Sequence, residues 1–195
     1  MTTDHDTIDY YERTARQYAT EISPTPPAPR AEALRRLIAY LPSGATVLEV
    51  GSGTGRDADY VEALGARVRR TDAAVAFIEL QAERGKHAEL LDLLTDELGG
   101  PYSAVLAMCV LIHVDRARTD AVLHKVATAL RSHGAFLVSV REGAGEHADA
   151  CHMTYWRRDE FTARLANAGF RVDWDSRDID SADETWLTFL ARRSQ

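Results

Sequence analysis

The 195 residues carry 30 acidic and 23 basic side chains, which gives a formal net charge of −7, and 45% of them are hydrophobic. This balance is typical of a single soluble globular domain, and the negative charge disfavours a nucleic-acid partner. The two cysteines lie far apart and indicate no disulfide framework. The polar N-terminal stretch lacks the apolar core of a signal peptide, and no later stretch approaches eighteen apolar residues. We therefore expect a cytoplasmic protein with no membrane association.

The N-terminal part of the sequence predicts two helices separated by a connector. Residues 8–22 place apolar and aromatic side chains at helical spacing. The proline-rich sequence "SPTPPAP" then predicts an extended segment, because proline fixes φ and lacks an amide donor. A second helix is predicted over 31–41, where Pro42 ends it.

From Thr46 the pattern changes to alternating strands and helices. The predicted strands are 46–50, 66–72, 87–93, a strand beginning at 102, and 134–140, and the intervening helices are 56–65, 73–84, 115–131 and 157–169. Such alternation predicts a parallel sheet covered on both faces. Two further strands, 170–176 and 184–193, have no helix between them and predict an antiparallel hairpin. The expected fold is a doubly wound α/β sheet of seven strands, with one antiparallel strand near its C-terminal edge.

The stretch "VLEVGSGTGRDADY" at residues 47–60 joins a predicted strand to a helix through three glycines. In open α/β sheets, nucleotides bind at such a turn, where unpaired helix amides are exposed. The dinucleotide fingerprint places its third glycine one residue later, and Glu49 and Asp57 would repel a diphosphate. A ligand with a cationic tail fits better, and S-adenosylmethionine has one.

Two further acids follow the next strands. Asp72 closes the second strand, where a carboxylate accepts hydrogen bonds from ribose hydroxyls. Asp92 follows the third strand and is predicted to accept from the adenine amino group, while the Leu93 amide donates to the ring. Glu49 is predicted to pair with the methionine ammonium. The three acids would form a row along one edge of the sheet.

Five segments, in this order, resemble the motifs of class I S-adenosylmethionine-dependent methyltransferases: "EVGSGTG", "TDAA", "LLDL", "YSAVLAMCVLIHV" and "LRSHGAFLVSVREG". The chain is most similar to small bacterial members, including the tellurite-resistance methyltransferases, whose N-terminal helix folds over the cofactor. The resemblance implies one Rossmann-like domain over 1–195, with a lid helix and connector at 1–30 and the core at 31–195. The sequence departs from the pattern in having Glu rather than Asp at position 49.

The resemblance also implies a reaction and a set of cofactor contacts. The reaction is in-line methyl transfer from S-adenosyl-L-methionine to a small-molecule acceptor, with S-adenosyl-L-homocysteine as product. The segment "AMCV" (107–110) stands where enzymes that methylate nucleic-acid amines carry Asn/Asp-Pro-Pro-Tyr, which disfavours a nucleobase acceptor. The implied cofactor-binding residues are Tyr18, Arg30, Glu49, Gly51, Ser52, Gly53, Asp72, Ala73, Asp92, Leu93 and Met108.

The acceptor site is less defined by sequence. His113, after the fourth strand, is either a general base or a histidine that lines the pocket or caps the next helix. Residues 142–156 form a long predicted connection, which either roofs the acceptor or is a mobile surface loop. The candidate substrate-binding residues are Tyr11, Arg141, Glu142 and Tyr155. The alternative for Tyr11 is core packing, and for Arg141 and Glu142 an exposed pair.

Other functions stay open at this point. The chain could be a non-catalytic S-adenosylmethionine-binding module or partner subunit, or, less favoured because of Glu49 and Asp57, a nicotinamide-dependent oxidoreductase. His147, Cys151 and His152 lack a fourth ligand and a paired motif, so no metal is predicted. The expected assembly is a monomer or homodimer.

Overall fold

The computed structural model describes residues 4–148 and 150–194, so residues 1–3 of the predicted N-terminal segment lie outside it. The helices are α1 Asp4–Glu21, α2 Ala28–Ala39, α3 Arg56–Ala63, α4 Val75–Glu83, α5 Arg116–Ala129 and α6 Arg158–Asn167. The strands are β1 Thr46–Glu49, β2 Arg67–Asp72, β3 Ala88–Leu90, β4 Tyr102–Met108, β5 Leu130–Glu142, β6 Glu146–Ala148, β7 His152–Trp156, β8 Phe170–Ile179 and β9 Thr185–Arg193. A short 3₁₀ turn, Leu111–His113, follows β4.

The sheet is mostly parallel and doubly wound, as predicted. Its parallel part has the order β3-β2-β1-β4-β5. Strand β9 then lies antiparallel to β5 and to β8, so the chain ends in the predicted hairpin. Two further strands, β6 and β7, extend the sheet beside the end of β5. The described sheet therefore has nine strands rather than seven.

The difference in strand number corrects the prediction of a long loop over 142–156. Strands β6 and β7 form an antiparallel hairpin there, and β7 pairs in parallel with β5. Along β7 the buried residues alternate: His152, Thr154 and Trp156 are buried, and two of them are polar. Because the inward positions are not uniformly apolar, the hydrophobic alternation that identifies a half-buried strand is absent from the sequence.

Helices cover both faces of the sheet. On one face, α5 and α6 contribute Leu123, Val126 and Phe161 to the larger apolar cluster. On the other face, α2 contributes Leu34 and Leu37 to the second cluster. Strand β4 is buried along its whole length, which is expected for a central strand with helices on both sides. The double-sided cover leaves the carboxyl ends of the strands as the place for a ligand.

Helix α1 lies outside this sandwich and packs against α4. Ala15 of α1 and Phe77 of α4 form a small third cluster with the rings of Tyr11 and Tyr18 beside them. The apolar face of α1 is therefore turned towards α4. No helix in the described parts of the chain combines the length and apolarity that a bilayer crossing requires.

Candidate active site

A cavity of about 790 Å³ opens at the carboxyl ends of β1, β2 and β4, under helix α1. Its size lies within the range of about 300–1,000 Å³ that is usual for small-molecule sites. Twelve of the sixteen predicted site residues line it: Tyr11, Tyr18, Arg30, Gly51, Gly53, Asp72, Ala73, Asp92, Leu93, Met108, His113 and Arg141. The other four, Glu49, Ser52, Glu142 and Tyr155, do not line the cavity.

The turn between β1 and α3 depends on glycine for two reasons. At Gly51, with φ of +61°, a Cβ would lie 2.6 Å from a methyl group of Val110, so the close packing of the turn against the end of β4 leaves no room for a side chain. Gly53, with φ of +54°, has open space where its Cβ would be, and it lines the cavity. Its backbone is therefore accessible to a ligand.

Glu49 and Ser52 lie behind this turn rather than on the cavity. The Ser52 hydroxyl accepts a hydrogen bond from Gln81 Nε2 at 2.7 Å, and the same amide donates to the Gly53 carbonyl at 2.9 Å. Glu49 is buried, and its Oε2 has no hydrogen-bond partner among the described residues. Ser52 thus supports the turn, whereas Glu49 leaves a buried carboxylate oxygen unpaired.

The first turn of α3 adds a second buried acid. Asp57 accepts a hydrogen bond from Arg30 Nη1 at 3.2 Å through one oxygen, while its Oδ1 has no hydrogen-bond partner in the described structure. Burial, with the charge of Asp57 beside it, raises the pKa of Glu49 well above its ordinary value. A positive group near Glu49 and Asp57 would stabilise their ionised forms, and an anion would destabilise them.

Asp72 is a buried acid that lines the cavity. It ends β2, and its two oxygens accept hydrogen bonds from the amides of Gly53 at 2.7 Å and Ala74 at 2.9 Å. Burial raises the pKa of Asp72 to about 6, although these backbone amides act in the opposite direction. Asp72 therefore joins the glycine turn to the end of the second strand.

Asp92 and Leu93 follow β3 and line the same cavity. The Asp92 carboxylate accepts from the Leu94 amide at 2.8 Å and from the Thr95 hydroxyl at 3.1 Å. These bonds fix the turn after β3 and use part of the carboxylate's acceptor capacity.

Tyr18 and Arg30 close the cavity from the N-terminal segment. The Tyr18 ring packs edge-on against Tyr11 and Phe77, so it both packs against the third cluster and lines the cavity. Arg30 Nη2 donates to the Cys109 sulfur at 2.6 Å and its Nη1 to Asp57. Because a guanidinium has five N–H donors, others remain for a ligand.

His113 lies at the end of the 3₁₀ turn with both ring nitrogens hydrogen-bonded. Its Nδ1 is 2.8 Å from the carbonyl oxygen of His152, and its Nε2 is 3.0 Å from the hydroxyl of Tyr11. Burial lowers the pKa of His113 to about 4. The hydrogen bond to the His152 carbonyl acts in the opposite direction and is the smaller effect. The imidazole is therefore neutral at physiological pH and lines the cavity.

The predictions for the end of β5 divide between two faces of the strand. Arg141 lines the cavity, bonded to Glu184 at 2.9 Å and stacked over Trp186. Glu142, the next residue, accepts instead from Arg177 at 2.6 Å, since consecutive strand residues point to opposite faces. Tyr155 stacks on His147. The structure thus brings Arg141 to the cavity and leaves Glu142 and Tyr155 elsewhere.

Some residues that line the cavity were not predicted from the sequence. Trp186, Ile179 and Asp180 come from the C-terminal hairpin, and Met153 comes from β7. Trp186 reaches the cavity because it pairs with Arg141 across β5 and β9. No local pattern in the sequence encodes that register, since it depends on the pairing of two distant strands.

The hairpin beside the cavity is anchored by a cluster around His152. Its Nε2 lies 2.9 Å from the Thr154 hydroxyl, 3.2 Å from Asp115 and 3.6 Å from Glu146. This cluster differs from the set His147, Cys151 and His152, for which no metal was predicted, and His147 stacks on Tyr155. The cluster fixes the backbone of β7, whose His152 carbonyl holds His113.

Comparison with known proteins identifies the family of the chain. A family model described as a methyltransferase domain matches residues 15–173. No individually curated protein sequence matches the chain.

Many solved structures are similar. The chain is 22% identical to Burkholderia thailandensis 1,6-didemethyltoxoflavin-N1-methyltransferase, solved with S-adenosylhomocysteine, with a TM-score of 0.79 over 100% of this chain and 92% of that one. The CcbJ methyltransferase of Streptomyces caelestis is 18% identical, with a TM-score of 0.77 over 97% and 99%. Magnesium protoporphyrin IX methyltransferase of Synechocystis is 15% identical, with a TM-score of 0.75 over 95% and 97%. At these identities the likeness shows a shared fold.

Proposed function

The chain belongs to the methyltransferase domain family, and we propose that it transfers a methyl group from S-adenosylmethionine to a small-molecule acceptor. The observation that best supports this function is a single cavity lined by both the glycine turn and the strand-end acids. Two of the similar enzymes contain S-adenosylhomocysteine in their structures. The net charge of −7 favours a small acceptor over a nucleic acid, and the cavity has the volume of a small-molecule site.

The residues present fit the proposed donor. Glu49 and Asp57 each have a buried oxygen without a hydrogen bond among the described residues, although that of Asp57 lies 3.5 Å from Arg56 Nε. An ammonium group supplies the N–H donors that such oxygens lack. Asp72 would hold the ribose hydroxyls, and Asp92 with Leu93 would hold the adenine. The carboxylate of the donor would be held by Arg30 and Tyr18, and Gly51, Gly53, Ala73 and Met108 would shape the cavity around it.

The sulfonium supplies an activated methyl group, so the chain itself must align the acceptor and exclude water. Helix α1 provides the cover, because Tyr11 and Tyr18 lie over the cavity and pack against Phe77. His113 and Arg141, which are half-buried and line the cavity, would contact the acceptor.

Calorimetric titration with S-adenosylmethionine and S-adenosylhomocysteine tests the proposal. Wild-type protein should bind both, and Asp72→Ala should weaken binding by about 10- to 100-fold, the loss of hydrogen bonds to a charged group. Asp120→Ala is the matched control, because this exposed acid on α5 pairs with Arg164. An absence of binding by the wild type would refute the proposal.

The same experiment separates the alternatives. Glu49 and Asp57 disfavour NAD, so NAD should give no heat under conditions in which S-adenosylhomocysteine binds. A protein that binds the cofactor but methylates nothing in a broad acceptor library would instead be a binding module.

A further inference from the structure

Besides the proposed cofactor residues, several planar side chains line the cavity. Tyr10, Tyr11, His113 and Trp186 line it, together with apolar side chains such as Met153. The Tyr11 ring meets Tyr10 and His113 edge-on, with centroids 5.3 Å and 5.4 Å apart. Aromatic walls of this kind favour a flat, aromatic ligand, since ring pairs gain from stacked and edge-on contacts.

His113 offers this ligand one defined acceptor atom. The carbonyl of His152 can only accept a hydrogen bond, so Nδ1 of His113, 2.8 Å away, carries the proton. In the neutral ring Nε2 then carries no proton and can accept a hydrogen bond. The hydroxyl of Tyr11 donates to it at 3.0 Å. The structure thus fixes the tautomer and holds the Tyr11 hydroxyl against the Nε2 atom of the half-buried imidazole.

The groups around His113 keep its ring neutral. Burial lowers its pKa to about 4, and the charges of His152 on β7 and Arg141 on β5 act in the same direction. Burial also raises the pKa of Tyr11 on α1, so Tyr11 stays a hydroxyl donor. Such an imidazole takes the acceptor proton only as the bond to the methyl carbon forms, because alkylation makes the proton on the acceptor oxygen or nitrogen strongly acidic. An aliphatic ammonium, with a pKa of about 10, has no lone pair with which to form that bond.

We propose that the methyl acceptor is a planar aromatic or heteroaromatic molecule whose ring hydroxyl or ring N–H donates to His113 Nε2 in place of Tyr11. This inference rests on the methyl-transfer function proposed above. In the reaction, a lone pair of the acceptor oxygen or nitrogen forms the bond to the methyl carbon. The carbon–sulfur bond breaks, and its electron pair stays on the now neutral sulfur. The acceptor proton moves to Nε2, so the positive charge ends on the imidazolium of His113.

The test is a methylation assay with two matched sets of probes, read out as S-adenosylhomocysteine formed. The first set is catechol, para-nitrophenol and benzimidazole, which carry a ring hydroxyl or ring N–H. The second is benzylamine, benzyl mercaptan and benzoic acid, which have a similar ring and a different nucleophile. Turnover should occur in the first set. Turnover confined to the second set, or none in the first, overturns the acceptor class.

Three variants test the role of His113. In His113→Gln the amide oxygen still accepts a hydrogen bond but takes no proton, so kcat should fall about 100-fold or more with KM within a few-fold. Tyr11→Phe removes the competing hydroxyl and should lower KM by up to about tenfold. His124→Gln, at an exposed position on α5, should behave as wild type. A His113→Gln protein that keeps wild-type kcat refutes the proton transfer to Nε2.

Cofactor binding measured on the same preparations separates the two proposals. If the protein does not bind S-adenosylmethionine, the proposed function fails. If it binds normally and the first probe set is not methylated, only the acceptor class fails.

Discussion

At the residue scale, buried acids distinguish the turn after β1 from a phosphate site. Glu49 is buried with an unpaired oxygen, and its pKa is raised by burial and by Asp57. Arg70 offsets this in part, but its guanidinium is already bonded at 2.7 Å to both Asp59 and Glu62. The turn therefore keeps an unpaired carboxyl oxygen at Glu49, which a cationic ligand tail would satisfy.

Asp72 gives the proposed cofactor binding a pH dependence. Its pKa is about 6 in the folded protein, raised by burial, and the ribose hydroxyls need its ionised form as acceptor. Binding of S-adenosylhomocysteine should therefore be constant above this value and weaken below it, by up to about tenfold per pH unit. Calorimetry across this range measures the slope. Asp72→Asn, which cannot ionise, should bind more weakly with a flat profile; an unchanged slope in this variant would exclude Asp72 as the source.

Gly51 makes a prediction about stability. Its positive φ and the 2.6 Å approach of a Cβ to Val110 indicate that Gly51→Ala should destabilise the protein by about 2–4 kcal/mol, the sum of backbone strain and overpacking. Gly145→Ala is the control for strain alone, because Gly145 has φ of +78° and no atom within 4 Å of its Cβ position.

Urea unfolding of both variants measures the difference. The double variant Gly51→Ala with Val110→Ala should recover stability relative to the sum of the two single changes, because the clash is shared between the two residues. Strict additivity would show that Gly51 and Val110 do not compete for space.

At the element scale, α1 packs against α4 outside the two layers that cover the sheet. It is attached to α4 through Glu12, which accepts from the amides of Val75 at 2.6 Å and Ala76 at 3.0 Å. These are orphan donors of the first turn of α4, so Glu12 caps that helix from another element. An exposed ion pair between Arg16 and Glu83 adds a second link.

Removal of the cap should loosen the cover over the cavity. Glu12→Ala should lower stability by about 1 kcal/mol, a usual effect of losing a helix cap, and speed dissociation of S-adenosylhomocysteine. Stopped-flow displacement measures the rate. Arg16→Ala is the matched control on the same helix, because exposed ion pairs contribute little. Equal rates for the two variants would mean that Glu12 does not hold the cover.

Elements with a strong local signal were predictable from sequence, and those defined by distant pairing were not. Two local patterns were recognisable: the strand–glycine–helix order around Gly51, and the acid Asp72 at the end of β2. Both residues line the cavity. The β6–β7 hairpin was missed because His152 and Thr154 occupy inward positions. Trp186 was missed because its place depends on the register of β9 against β5.

At the scale of the whole molecule, the end of the sheet and α1 together border the cavity. The larger cluster under α5 and α6 and the second one under α2 and α3 pack the faces of the sheet, while the third cluster, with Ala15 and Phe77, lies between α1 and α4. A ligand in the cavity would contact both the sheet edge and α1. Binding should therefore stabilise the folded chain as one unit, because the unfolded chain has no such site.

Thermal unfolding measures this coupling. S-adenosylhomocysteine at 100 times its dissociation constant should stabilise the folded state by about 2.7 kcal/mol, which corresponds to a rise in Tm of roughly 5–10 °C for a chain of this length. NAD at the same concentration should leave Tm unchanged, because the buried acids Glu49 and Asp57 behind the glycine turn disfavour a diphosphate there. A larger shift with NAD than with S-adenosylhomocysteine would reverse the assignment of the cavity.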